Sequence, residues 1–193
     1  MTPLTPLESL YEATPDRGGD LPLPPPLRTL YGRLQFPPHP ARPYLIGNFV
    51  TTLDGVVSLN VAGQSGGGEI SGFNSHDRMV MGLLRAVADA VIVGAGTLRA
   101  VPDHLWTAGH IYPALAESYE ELRTTLGKSG PPLNVIVTAR GEIDLRRRVF
   151  QSGEVPVLIV TTPRGADHLR ARALPPSVQI TTVEGAERLG GRA

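Results

Sequence analysis

The sequence predicts an α/β fold built on a mainly parallel sheet, and three observations predict it. Strand-like and helix-like segments alternate from Tyr44 onward, the pattern of βαβ crossovers. The runs at residues 90–93 and 155–160 are nearly all apolar, as in strands buried on both faces. Small polar residues follow several of these runs, where the loops of a parallel sheet converge.

Bulk composition narrows the function classes. At 193 residues the chain has room for one substantial domain plus appendages. Formal net charge is zero, so nothing advertises nucleic acid or an anionic membrane as partner. Lys128 is the one lysine, and nearly all positive charge is arginine. The absence of cysteine excludes disulfides, thiolate catalysis, iron–sulfur clusters and cysteine zinc sites. The start "MTPLTPLESLYE" lacks the order of a signal peptide, and no apolar run reaches membrane-spanning length. A cytoplasmic protein is the expectation.

Residues 1–43 hold 11 of the 19 prolines, so this arm forms neither a sheet nor long helices. A short helix over 27–34 fits, with the rest extended on the body or on a neighbouring subunit. The domain proper is expected over 44–193. "YLIGNFVTTLDG" reads as a buried strand ending in an Asp-Gly turn, and "VVSLNVAG" as a shorter strand or an irregular loop. "QSGGGEISG" is glycine-rich and reads as a flexible loop.

A helix follows, with Asn74 or Ser75 as cap, Asp77 in the first turn, and Met79, Leu83, Ala86 and Val87 along one face. Next come a strand at 90–93, a turn at 94–97, and an irregular stretch at 99–112. "PALAESYEELRTTLGK" is a helix started by Pro113. "LNVIVTARGEID" and "VPVLIVTTPRG" are strands, the second interrupted by Pro163. "ADHLRARAL" reads as a helix, "SVQITTVEG" as a strand, and "AERLGG" as a helical fragment.

Four strand ends carry small polar residues: Thr51-Thr52, Gly94-Ala95-Gly96-Thr97, Thr138-Ala139-Arg140 and Thr161-Thr162. The Gly94 turn has Arg99 where a dinucleotide fingerprint needs its third glycine, so that motif is rejected. Its glycines serve a phosphate loop or a simple turn equally well. Asp54, just after a predicted buried strand, is either a carboxylate raised in pKa by desolvation or ordinary Asp-Gly turn chemistry. None of the five histidines shows paired ligand spacing, which speaks against a metal site. Arg140 and Arg164 each follow a strand end, where either can grip a ribose 2′-phosphate or sit solvated.

Taken together, "NFVTTLDG", "ISGFNSHDRMVMGLLRAVADAVIVGAGTLRA" and "NVIVTARGEID" resemble the dihydrofolate-reductase-like superfamily. Within it they resemble the reductase domain of riboflavin biosynthesis, the 5-amino-6-(5-phosphoribosylamino)uracil reductase type. The resemblance runs from about Tyr44 to Thr182. It implies a three-layer fold with a mainly parallel central sheet, a homodimer, and NADPH as cofactor. It also implies hydride transfer to C1′ of a ring-opened ribosylaminopyrimidine. Residue by residue, it implies Thr52, Gly72, Gly94, Gly96, Thr97, Leu98, Thr138 and Arg140 against the cofactor. Asn48, Asp54, Ile70 and Ser71 are implied on the substrate side, with Asp54 as the catalytic residue.

Three departures keep other readings open. Val56 stands where riboflavin-type members carry a basic residue, and Val101 where they carry an acid. The pattern also leads the family's second glycine pair and closing strands to be expected after "AERLGGRA", as if the chain were C-terminally truncated. A non-catalytic remnant, or a related reductase with another small substrate, are the alternatives.

Overall fold

A computed structural model describes residues 4–11, 18–59, 61 and 66–184. Four strands, β1 (Ala90–Gly94), β2 (Leu133–Thr138), β3 (Val157–Thr161) and β4 (Val178–Thr182), form one parallel sheet in the order β1-β2-β3-β4. Register is continuous across it: Gly94 lies opposite Val137, Thr138 opposite Thr161, and Thr161 opposite Thr182. All four carboxyl ends therefore meet at one edge.

Two apolar cores flank this arrangement. The first joins the sheet, through Ile136, Val157, Ile159 and Val178, to helices α4 (Ala95–Ala100), α7 (Arg148–Gln151) and α8 (Pro163–Arg170). Leu98, Phe150 and Leu169 are the buried side chains these helices supply. The second core packs α3 (Ser75–Val87) against α5 (Ala108–Ile111) and α6 (Ala116–Thr125) through Met79, Leu83 and Leu122. The proline-rich arm belongs to this second core. Its helix α1 (Pro25–Tyr31) starts at a proline, where a missing amide hydrogen costs nothing, and buries Leu27 completely. The arm lies on the body of its own chain.

The local signals of α3 and α8 explain their starts. Asn74 accepts from the backbone of His76 at 2.9 Å and Asp77 at 3.2 Å, which satisfies two otherwise orphaned donors. Pro163 does not interrupt a strand. It opens α8 at the first helical position, and Thr162 caps that helix by accepting from Gly165 at 3.1 Å. Pro113 begins a 3-10 turn (Pro113–Leu115), and α6 starts only after it.

Two expectations are corrected. Residues 44–52 form no strand and join no sheet among the described residues, with Phe49 83% exposed. The apolar pattern there is that of a strand, but among the described residues it has no sheet partner. The glycine-rich stretch is not all loop, because Gly67–Ser71 forms a short helix, α2. Gly72 stops it in the left-handed conformation (φ 59°) that glycine adopts without steric cost. Asn60 and residues 62–65, and the C-terminal "AERLGGRA" with its Gly190-Gly191 pair, lie outside the described residues.

Among the described residues β1 is an edge strand paired only with β2, and it carries no charge, proline or bulge to blunt it. Ile92, at its centre, is 61% exposed. Placing a charge there, as Ile92→Lys, is expected to leave stability within about 0.5 kcal/mol. It should suppress self-association, read by light scattering at equal protein concentration. Equal particle sizes for the two proteins would contradict this. No helix among the described residues is long and apolar enough to cross a membrane.

Candidate functional site

The site grows from the way strands end. β1 passes into α4 without a loop: Gly94 is the last strand residue and also the helix N-cap. The turn at 94–97 is thus the first turn of a helix. The spacing of Ala95 and Arg99, four residues apart on α4, places both on one face.

β2 ends at Thr138, and the loop 139–141 is held by its neighbours. Thr138 Oγ1 accepts from the Gly141 amide at 3.2 Å, and Thr162 Oγ1 donates to the Ala139 carbonyl at 2.7 Å. Gly141 (φ 69°) lies so close to the Gly165 carbonyl that a Cβ at position 141 has no room. Backbone packs on backbone here, which fixes where Arg140 leaves the chain.

Between α4 and this loop lies a cavity of about 220 Å³, lined by Ala95, Arg99, Val137, Thr138, Ala139, Arg140 and Glu142. Two arginines and one glutamate are among its lining residues. Arg140 pairs with Glu142 at 3.3 Å, whereas Arg99 has no ion-pair partner among the described residues. Such a space accommodates a ribose phosphate rather than a whole dinucleotide, since sites for drug-sized ligands usually take about 300–1,000 Å³. Arginine suits it, because its planar fork matches a phosphate group.

A family model described as the RibD C-terminal domain matches residues 43–189. The chain belongs to the RibD C-terminal domain family. The riboflavin-biosynthesis reductase domain of the dihydrofolate-reductase-like superfamily, recognised above from three sequence segments, is therefore its family. The α/β architecture and all-parallel sheet agree with that membership. Among curated proteins, none matches the chain.

The residues that the resemblance implies fall into two groups. Thr138 and Arg140 line the cavity, and α4 brings the Gly94–Leu98 segment to the same edge of the sheet. Gly94, Gly96 and Thr97 are exposed, while the Leu98 side chain is 1% exposed and belongs to the core. Asn48, Thr52, Asp54, Ile70, Ser71 and Gly72 do not line the cavity. Asn48, Thr52 and Asp54 lie on the segment that ends in the Asp54-Gly55 turn, and Ile70, Ser71 and Gly72 lie in and just after α2; the two meet where Val50 packs against Gly67.

Around Asp54 the chain makes a tight turn, with the Gly55 amide on the Thr52 carbonyl at 3.0 Å and the Val56 amide on Thr52 Oγ1 at 2.9 Å. Gly55 (φ 88°) permits it. Thr52 Oγ1 donates to the Asp54 carboxylate. Asp54 is exposed, so the buried strand that was to desolvate it is not there.

Arg99 and Glu142 were missed as lining residues. Helical phase from Gly94 would have found Arg99, whereas nothing local marks Glu142. A second unforeseen feature is a buried polar knot between α3 and α5. Arg85 donates from Nη1 to His104 Nε2 at 2.9 Å and to the Thr107 carbonyl at 3.4 Å. Burial lowers the Arg85 pKa to about 10 and that of His104 to about 3, Arg85 adding to the latter effect. The Nε2 lone pair of His104 is spent on Arg85, and its ring stacks edge-on against His110 at 4.5 Å.

Proposed function

We propose that the protein is an NADPH-dependent reductase acting on a ribosylaminopyrimidine of riboflavin biosynthesis. The observation that carries this reading is the two-arginine cavity at the carboxyl ends of β1 and β2, in a chain of a reductase family. Arg99 and Arg140 hold the 2′-phosphate of the cofactor's adenosine end, beside the Thr138 strand end. Gly94, Gly96, Thr97 and the backbone at Leu98 lie along the cofactor, with Thr52 and Gly72 toward its nicotinamide. When bound, NADPH supplies the hydride that reduces the ribosyl C1′ and turns ribosylamino into ribitylamino.

On the substrate side, Asn48, Ile70 and Ser71 orient the pyrimidine. Asp54, steadied by Thr52, is the acid placed to hold or pass the proton that accompanies the hydride. The assembly is a homodimer in the cytoplasm.

Calorimetric titration with NADPH tests the reading. The wild-type chain should bind, and Arg99→Ala with Arg140→Ala should weaken binding about tenfold or more at low salt, as expected for two phosphate contacts. Absence of NADPH binding, or a double variant that binds as tightly, overturns it.

A further inference from the structure

The cavity carries a feature that a pure phosphate site does not need, the Glu142 carboxylate. We propose that Glu142 sets the site's choice between a 2′-phosphorylated and an unphosphorylated ribose, holding Arg140 in reserve and drawing affinity toward the unphosphorylated form. This rests on the cofactor reading above.

The Arg140–Glu142 contact is looser than two neighbouring arginine pairs and resembles a third, Arg147–Asp144, which at 3.5 Å also lacks a hydrogen bond. Arg146 binds Asp144 through Nε at 3.0 Å and Nη2 at 3.3 Å, and Arg148 binds Glu154 through three hydrogen bonds. Arg140 Nε lies 3.3 Å from Glu142 Oε2 without the alignment of a hydrogen bond, and the two side chains are 80% and 60% exposed. An exposed pair of this kind is weak and exchangeable. Both groups nevertheless line the cavity, because the loop between them is fixed at Gly141 by the Gly165 carbonyl.

The consequence for a ligand follows from charge. A phosphate monoester carries about −1.5 to −2 at neutral pH. To reach Arg140 it must take the guanidinium from Glu142 and then sit beside that carboxylate, which repels it. A ribose without the phosphate meets the opposite situation, because a carboxylate accepts hydrogen bonds from ribose hydroxyls. One side chain thus penalises one dinucleotide and favours the other. Arg99, which has no acid partner among the described residues, serves the phosphate without that competition.

The test measures the affinities of NADPH and NADH for wild type and Glu142→Gln. Glutamine keeps the shape and removes the charge. The variant should bind NADPH about fivefold more tightly and NADH no more tightly than wild type, with the gain shrinking at high salt. The same contrast should appear with two small probes, adenosine 2′-phosphate tightening and adenosine unchanged or weaker. A thermal melt verifies that this exposed substitution leaves the fold intact.

An unchanged NADPH-to-NADH ratio in Glu142→Gln, with wild type binding both, overturns the role of Glu142 and leaves the cofactor reading standing. Wild type binding neither dinucleotide overturns both.

Discussion

Acidification below neutral pH should destabilise the protein, and one histidine should account for much of the loss. His104 sits at a pKa of about 3 in the folded chain against 6.5 in the open chain, mainly because burial disfavours its charged form. The folded state therefore binds fewer protons than the unfolded state between these values. Stability is fully present above about pH 6.5 and falls as pH drops toward 3.

A gap of this size corresponds to roughly 3–5 kcal/mol at the low end of the window. The groups around the ring all act in one direction. Arg85 and Arg78 from α3 and His110 from α5 oppose its protonation, and Arg85 also needs its Nε2 as an acceptor. His110, also depressed by burial and by Arg148, adds to the trend, with Glu154 acting against it.

Urea denaturation at a series of pH values measures the slope. His104→Gln retains an acceptor for Arg85 but cannot titrate. Its stability should change by several kcal/mol less than wild type between pH 6.5 and 3. An identical slope in the two proteins would refute the assignment.

Arg123 is expected to give the largest loss at constant pH. The residue is 9% exposed, and its guanidinium donates to three backbone carbonyls, Ala86 at 2.9 Å, Ala88 at 2.8 Å and Gly130 at 2.7 Å. The first two belong to the end of α3, whose last carbonyls lack partners within the helix. A positive charge there also meets the negative end of the helix dipole. The third ties the turn before β2 to the same point, so one side chain joins α3, α6 and the entry to the sheet.

Arg123→Ala removes all three bonds at once. About 3 kcal/mol should be lost, since charged hydrogen bonds contribute about 1.5–3 each and water recovers part. For a domain of this size the midpoint of thermal unfolding should fall by roughly 6–12 °C. Arg123→Lys should recover only part of it, because a single ammonium cannot span the fork. A loss below 1 kcal/mol for the alanine variant would show that the carbonyls are as well served by water.

How much of this was legible in the sequence depended on the range of the interaction. Asn74 as the cap of α3 could be read because cap and helix are adjacent in the chain. The four parallel strands could be read from apolar runs separated by helical spacing, and so could the polar strand end at 138–140. Residues 44–50 show the limit. Their pattern registers the wish to be buried, yet a strand needs a partner, and pairing is a property of the folded chain rather than of the segment.

Pro163 was misread for a related reason. The same residue ends a strand or begins a helix, and Thr162 as cap decides which. At the site, position 140 followed from the rule about strand ends, whereas Glu142 acquires meaning only once folding makes it line one cavity with Arg140 and with Arg99, 43 residues away in the chain. Arg85 and His104 lie 19 residues apart with no motif between them.

The packing of the amino-terminal arm bears on how the chain is made. Leu27 leaves the ribosome before Tyr119 and Leu122 of α6, which belong to the buried surface it joins. Translation at roughly 5–20 residues per second separates the two by about 5–20 seconds. For that interval the arm has its own helix α1 and the Asp20–Gln35 bridge, but Leu23, Leu27 and Leu34 lack the α3 and α6 side of their core. The apolar face of the arm is covered only once α3 and α6 have been synthesised and the surface it fits exists.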